Sequence, residues 1–440
     1  MYRSEYQGKL TTAEKVFETL SSGQTIVHGM ACAEPPALLE ALAAKIREGN
    51  LKDIVIYSLL PLEYACRTVL APELSDRVHA LSWFVSGNDR DMIRSGVQRF
   101  VPNYFHQIPR FCREIMKIDW TITTVSPMDR AGYFSFGTAN DFTSTAARHC
   151  GKLVVEVNRH MPRVYGDSLL HVSEVSGIIE NDRPLIEVSY ADPRPEAEKI
   201  GEIIAEMVPD GATLQLGVGA IPNAVTGALG NHKDLGIHTE IFVPGMVDLI
   251  KRGVVTGKRK TLHPMKHVFT SAQGNKEMFD LMNDNPSMES YPVSYTNEPA
   301  VIAQNDRMIS VNSCLQVDLF GQANAEFLHG HEYSGTGGQL DFVRGAYNSR
   351  DGKSFIAFYS TVKNGSISRI VPRFEEGTIV TTPRMDTHYL VTEYGAVNLK
   401  GKSTTRRALD IIGIAHPKFR DELAREGVKM GILPASGVKY

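Results

Sequence analysis

Cysteine is sparse in this sequence and never paired. The five residues, Cys32, Cys66, Cys112, Cys150 and Cys314, are scattered, odd in number and nowhere spaced as C-x-x-C. That excludes a disulfide framework and a zinc signature and suits a reducing compartment. No apolar run approaches the roughly 20 residues that cross a bilayer. The opening Met1-Tyr-Arg-Ser-Glu-Tyr6 lacks the apolar segment of a secretory signal. The expected location is the cytoplasm. A dominant charge is also missing. The net charge is −3 with both signs interspersed, which argues against nucleic acid or an anionic membrane as main partner. A local basic pocket for phosphates stays compatible with it.

Several catalytic motifs are absent or broken. Gly217-Val-Gly219-Ala-Ile-Pro222 lacks the third glycine of a dinucleotide fingerprint. Gly395-Ala-Val-Asn-Leu-Lys-Gly401-Lys402-Ser403 has the strand-to-helix setting of a phosphate loop, but five residues separate its glycines where that loop has four. There is no G-x-S-x-G elbow and no H-E-x-x-H; His331-Glu332 has no partner at zinc spacing. Nothing near Cys32 or Cys314 marks a lowered thiol pKa, so both read as inert. No metal site is expected.

What is present is the composition of a soluble globular protein, 42% apolar and 22% charged over 440 residues. That length is too great for one core and predicts two α/β domains. Strands are expected at 24–28, 53–57, 120–125, 152–157, 213–216, 308–311, 355–359, 379–382 and 389–392. Helices are expected at 11–20, 37–47 and 196–207, and from about Pro222, Thr405 and Pro417. Strand, helix, strand in close succession predicts mainly parallel sheets with crossover helices. Asn181-Asp-Arg-Pro184 and Asp192-Pro-Arg-Pro195 form the one linker-like cluster, placing the boundary near Ala191, with domains 1–190 and 191–440. The loops after two strands, 126–137 and 158–162, read equally as ordinary turns and as walls of a site.

The stretch of most chemical interest is Gly236-Ile-His-Thr-Glu240. It is preceded by the glycine turn in Gln215-Leu-Gly-Val-Gly-Ala-Ile-Pro-Asn223. A second glycine turn lies far downstream, in Ser334-Gly-Thr-Gly-Gly-Gln-Leu-Asp-Phe342. A buried glutamate can attack an activated acyl group. Main-chain N–H groups of glycine turns can stabilise the oxyanion that forms, because glycine lets the backbone approach closely. Most glutamates are surface residues, so the spacing alone leaves Glu240 open.

Together with Ser126-Pro-Met-Asp-Arg-Ala-Gly-Tyr-Phe-Ser-Phe-Gly137, Glu156-Val-Asn-Arg-His-Met-Pro162, Val317-Asp-Leu-Phe-Gly-Gln-Ala-Asn324 and Val391-Thr-Glu-Tyr-Gly-Ala-Val-Asn-Leu-Lys-Gly-Lys-Ser403, these motifs run in one order along nearly the whole chain. In that order the chain resembles the coenzyme A-transferases of the acetyl-CoA hydrolase/transferase family, on the branch using 4-hydroxybutyrate, butyrate or itaconate. The resemblance implies two α/β domains with the active site in the cleft between them. It puts the family's nucleophile on Glu240 and oxyanion-stabilising amides at Val218-Gly219 and Gly337-Gly338. It puts nearby polar residues at Asn312 and Glu393. Lys363 falls where a lysine is expected near the CoA phosphates, and Gly217 and Gly335 belong to the turns that border CoA. Pro244-Gly245 departs from the pattern and puts any role there in doubt. The partners implied are a CoA thioester, from acetyl-CoA or succinyl-CoA, and a small carboxylate. No cofactor beyond CoA itself is implied, and the chain is expected to form a homodimer or higher homo-oligomer.

Three activities stay open on the sequence: acyl-CoA:carboxylate transfer, thioester hydrolysis by the same glutamate, and CoA or carboxylate binding without chemistry.

Overall fold

The computed structural model describes residues 2–189 and 193–435. The expected boundary at Ala191 lies outside the described residues.

The first half builds a seven-stranded, wholly parallel sheet. Its strands are β1 (Thr25–His28), β2 (Ile54–Ser58), β3 (Val78–Ser82), β4 (Gln98–Phe100), β5 (Ile118–Val125), β6 (Cys150–Val157) and β8 (Gly177–Glu180), in the order β8-β6-β5-β1-β2-β3-β4. Between β6 and β8 runs the two-residue β7 (Tyr165–Gly166). Helix α1 (Pro36–Arg47) shows why the crossovers form. Pro36 stands in its first turn, where a missing N–H costs nothing. Leu38, Leu39, Leu42, Ala43 and Ile46 recur at helical spacing and are all buried. β5 is buried along almost its whole length, as a parallel strand covered on both faces must be.

The second half adds α2 (Pro195–Glu206), β9 (Thr213–Leu216), α3 (Ala220–Ala228), β10 (Gly236–His238), α4 (Pro244–Lys251), β11 (His267–Phe269) and β12 (Met288–Ser290). Then follow β13 (Met308–Ser313), α5 (Gln339–Asn348), β14 (Lys353–Ala357), β15 (Tyr389–Thr392), β16 (Gly395–Asn398), α6 (Thr404–Gly413) and α7 (Pro417–Lys429). The nine-stranded sheet runs β16-β15-β14-β13-β9-β10-β11-β12-β7. Only the β15–β16 pair is antiparallel. Its far edge is β7, contributed by the first half, with Glu289 and Ser290 opposite Tyr165 and Gly166.

Other main-chain bonds join the halves. Asn140 and Asp141 N–H donate to Thr270 O at 3.1 and 3.2 Å, Ala272 N–H to Thr138 O at 2.8 Å, and Phe105 N–H to Gly337 O at 3.1 Å. Two sequence expectations need correction. Residues 379–382 form no strand. Thr382 makes one isolated bridge to Ala323, so the β-branched run is spent on a loop whose end is tied down at Thr381 and Thr382, by main-chain bonds with Ala323 and by their hydroxyls accepting from Ala325 N–H and Gln339 Nε2. The helix expected over 11–20 is shorter: Thr12 caps Ala13–Val16, and the chain tightens to a 3₁₀ turn over Phe17–Thr19, which buries Phe17.

Candidate functional site

Three neighbouring strands of the second sheet, β13, β9 and β10, end on one side of a cavity of about 510 Å³. The first half supplies the facing wall, with Leu59, Trp83, Phe84, Phe105, Arg90 and Asn103. Ligands in open α/β sheets gather at the carboxyl ends of strands.

Glu240 follows β10 directly. Its carbonyl accepts from Thr270 and Ser271 N–H at 3.2 and 3.0 Å, which fixes the backbone while the carboxylate faces the cavity. After β9 the chain turns through Gly217-Val218-Gly219 into α3. Gly217 N–H is tied to Val311 O at 2.9 Å. Gly219 adopts φ 120°, which L side chains rarely adopt. Val218 is 48% exposed and lines the cavity. On the other side Gly337, at φ 54°, leads to Gly338, the residue that starts α5. The close approach is real at Gly338, where a side chain would run into Glu240 Oε2 and Asn297 Nδ2. The N-terminal end of α5 thus points at a carboxylate, the favourable pairing for a helix dipole.

The cavity brings together Gly217, Val218, Glu240, Asn312, Gly335, Gly337 and Gly338. Gly219 is the next residue behind them. Asn312 is tied into a reciprocal amide pair with Gln215, at 3.2 and 3.1 Å, and makes no bond to Glu240. Glu393 stands apart from the cavity lining and accepts from Ser360 N–H and Oγ at 3.0 and 2.5 Å. Lys363 is exposed, at φ 49° in the tip of the hairpin that joins Thr361–Val362 to Ile367–Ser368. Pro244 and Gly245 open α4 and line a different cavity beside Asn223 and Thr226. A Cβ at Gly245 would stand 2.6 Å from Thr226 Oγ1, so the small residue there serves α3–α4 packing.

Sequence reasoning missed Asn297, whose Nδ2 donates to Glu240 Oε2 at 2.6 Å. It also missed the buried Asp341, whose carboxylate holds His106 Nδ1 at 2.8 Å across the two halves. An Asn before Glu-Pro reads only as a turn, and Asp341 only as a first-turn helix acid. Arg90 was missed as well. Its guanidinium stacks 3.7 Å above the Tyr333 ring and donates to Tyr333 O at 3.0 Å.

Burial raises the Glu240 carboxyl to about 7, and the Asp341 charge adds to it; the bonds from Asn297 and Gly338 oppose both. Burial also raises Asp341, and Asp341 in turn holds His106 above its usual range against the effect of burial. The pair therefore keeps a proton over a wider pH range than either group would alone. A carboxylate poised near neutrality, in a mostly apolar cavity between two glycine turns, is equipped for acyl chemistry.

Comparison with known proteins agrees with this geometry. Residues 1–188 match the acetyl-CoA hydrolase/transferase N-terminal domain, and residues 274–427 its C-terminal domain. The chain belongs to the acetyl-CoA hydrolase/transferase family. Within it, succinyl-CoA:cyclohexane-1-carboxylate CoA transferase of Geobacter metallireducens is 42% identical over 429 residues, covering 98% of this chain and 97% of that protein. The 4-hydroxybutyrate coenzyme A transferase of Clostridium kluyveri is 42% identical over 422 residues, covering 96% and 97%. The crystal structure of RipA from Yersinia pestis superposes with a TM-score of 0.94 at 50% identity, covering 98% of this chain and 100% of that one. No helix among the described residues is long and apolar enough to cross a membrane.

Proposed function

We propose that this CoA-transferase moves CoA from a short acyl-CoA, acetyl-CoA or succinyl-CoA, to a small carboxylate of the 4-hydroxybutyrate or itaconate kind. Glu240 carries the CoA between them. The observation behind this reading is the Glu240 carboxylate itself, facing the cavity between the two glycine turns with its pKa lifted to about 7.

Glu240 attacks the thioester carbonyl, and the C–S bond breaks to give a mixed anhydride and CoA thiolate. The thiolate adds to the glutamyl carbonyl, and the bond from the glutamyl carbon to the bridging oxygen breaks. This leaves the enzyme–CoA thioester and the first carboxylate. A second carboxylate reverses both steps, so kinetics are ping-pong. Each addition puts negative charge on a carbonyl oxygen, which main-chain N–H groups of the two turns are suited to receive. Val218-Gly219 and Gly337-Gly338 are assigned that role. Asn312 orders the polar wall through Gln215, and Glu393 braces the Ser360 turn. Lys363 and the turn residues Gly217 and Gly335 border CoA, whose remote parts supply binding energy used at the reacting centre. No cofactor beyond the CoA substrate takes part. The enzyme is assigned to the cytoplasm, as a homodimer or higher homo-oligomer.

The test is peptide mass spectrometry after incubation with acetyl-CoA or succinyl-CoA and reduction with borohydride. The expected product is a reduced glutamate in the peptide holding Glu240, absent from Glu240→Ala, which should also lose transfer. An acceptor panel then separates activities. Free acid appearing from acyl-CoA at the same rate with and without a carboxylate acceptor would make the protein a hydrolase. CoA binding with no adduct from any donor would make it a binding protein.

A further inference from the structure

Among the described residues lining the cavity, Glu240 is the one carboxylate, and Arg90 and Arg369 are the two cations. We propose that Arg90 is a specificity-determining residue that receives the distal carboxylate of the substrate. The acyl group exchanged at Glu240 is then that of a short dicarboxylic acid such as succinate. The inference rests on the CoA-transfer reading of Glu240 and narrows its substrate class.

Arg90 opens the short helix Arg90–Arg94, directly after the loop at the carboxyl end of β3. In that loop Trp83, Phe84, Val85, Ser86 and Gly87 line the cavity. Asp89 fixes the loop. Its buried carboxylate accepts from Ser86 N–H and Oγ at 2.5 and 2.9 Å and from Ser82 Oγ at 3.1 Å. The acid next to Arg90 is thereby spent on its own turn and gives the guanidinium no counter-charge. Arg90 is instead held by Tyr333 alone, through the ring stacked 3.7 Å away and through Nε donating to the carbonyl at 3.0 Å. Among the described residues no carboxylate forms an ion pair with it, and no acceptor takes its Nη groups. A guanidinium fixed by one face and by Nε keeps its Nη edge for a bidentate carboxylate contact.

The strip Tyr333-Ser-Gly-Thr-Gly337 runs from under Arg90 to the nucleophile, since a Cβ at Gly337 would stand 3.8 Å from Glu240 Oε1. Its four steps span at most ~14 Å fully extended, and the glycine turn shortens that. Phe84 lies along the strip. Added Cβ atoms at Gly335 and Gly337 would each stand 3.1 Å from its ring. One end of a small acid can therefore react at Glu240 while its methylene segment crosses Phe84 and its other end meets Arg90. Arg369 stands on a different side. Its Nη1 donates to Cys314 O at 3.2 Å and its main-chain N–H to Ser360 O at 2.9 Å, beside the hairpin that carries Lys363 and was assigned to CoA. The long pantetheine arm keeps the CoA phosphates well away from the reacting sulfur, so Arg90 is left for the acyl end. An acetyl or butyryl group would leave its fork unpaired, which is how a polar site discriminates.

The experiment measures the second-order rate of enzyme–CoA formation at subsaturating succinyl-CoA and acetyl-CoA, trapped with borohydride and read by mass spectrometry. It compares full-length wild type with Arg90→Met and Arg90→Lys. Wild type should favour succinyl-CoA, and Arg90→Met should reduce that preference by about 10–10²-fold. Arg90→Lys should recover part of it, as a point charge without the fork. If Arg90→Met slows both donors by the same factor, Arg90 only joins the two halves and the proposal is overturned. If Arg90→Met does not fold, wild type alone decides, with succinamyl-CoA, the uncharged monoamide of the same size. Equal rates from succinyl-CoA and succinamyl-CoA overturn the proposal, and a loss of about 10–10²-fold with the amide supports it. If no donor modifies Glu240 in wild type, the nucleophile reading fails by itself. The relative affinities of that protein for succinyl-CoA and succinamyl-CoA then decide the role of Arg90 in the same way.

Discussion

At the scale of single residues, Glu240 ties rate to pH. The attacking group must be ionised, and burial with the Asp341 charge puts half-ionisation at about 7. The value of kcat/KM for the acyl-CoA donor should therefore rise with pH from about 5.5 to 9 and be half-maximal near 7. A flat profile across that range would mean the carboxylate is ionised throughout. The same shift acts on stability with the opposite sense. Glu240 is raised in the folded state, so its contribution is fully present below the ordinary carboxylate range near ~4.3 and is lost as pH rises through about 7. Glu240→Gln is neutral at every pH. It should melt later than wild type at pH 8, by up to about 3 kcal/mol, with little gain at pH 5. Thermal unfolding of the two proteins at both pH values checks this, and an equal offset at both would remove ionisation as the cause.

At the scale of elements, α2 and α3 pack so closely that one hydrogen atom decides the contact. A Cβ at Gly201 would lie 2.7 Å from the Ala224 carbonyl carbon and oxygen, whereas Gly227, on α3, has nothing within 4 Å. Overpacking costs about 1–3 kcal/mol, and alanine in place of glycine in a helix gains up to ~1 kcal/mol. Gly201→Ala should therefore destabilise, and Gly227→Ala should be neutral or stabilising. Denaturant unfolding of the pair measures both signs. None of this is visible in the sequence, where both glycines sit in similar helical patterns. What was visible were elements whose local chemistry agrees with their tertiary role. The prolines entering α1, the apolar periodicity of α2 and the β-branched run of β5 each had one consistent reading. Residues 379–382 had the same β-rich look but meet a neighbouring strand only at the Thr382 bridge to Ala323, which only the tertiary fold could reveal. In the site, Glu240 and the two turns stood out because glycine is a specific signal for close backbone approach. Asn297, Asp341 and His106 carried no such signal, since their spacing of 44 and 191 residues from Asn297 to Asp341 and from His106 to Asn297 becomes contact only through the joined halves.

At the scale of the whole molecule, the two halves share more than a cleft. β7 leaves the first half to complete the edge of the second sheet. Residues 138–141 are hydrogen-bonded to 270–272 and 293. Phe105 and His106 clamp the turn and helix that carry Gly337, Gly338 and Asp341. Chains of this length commonly unfold in stages, but staged unfolding here would strand β7 or strip an edge from the larger sheet. It would also leave Asp341 buried without His106. The two halves should therefore unfold together. Both tryptophans, Trp83 and Trp120, lie in the first half and are buried there, so their fluorescence reports that half, while far-UV circular dichroism reports both sheets. The two signals should trace one coincident transition in guanidinium chloride. Fluorescence changing at a lower denaturant concentration than dichroism would show that the first half detaches alone. Activity would then be lost at that earlier point, because the wall facing Glu240 and the partner of Asp341 both belong to it.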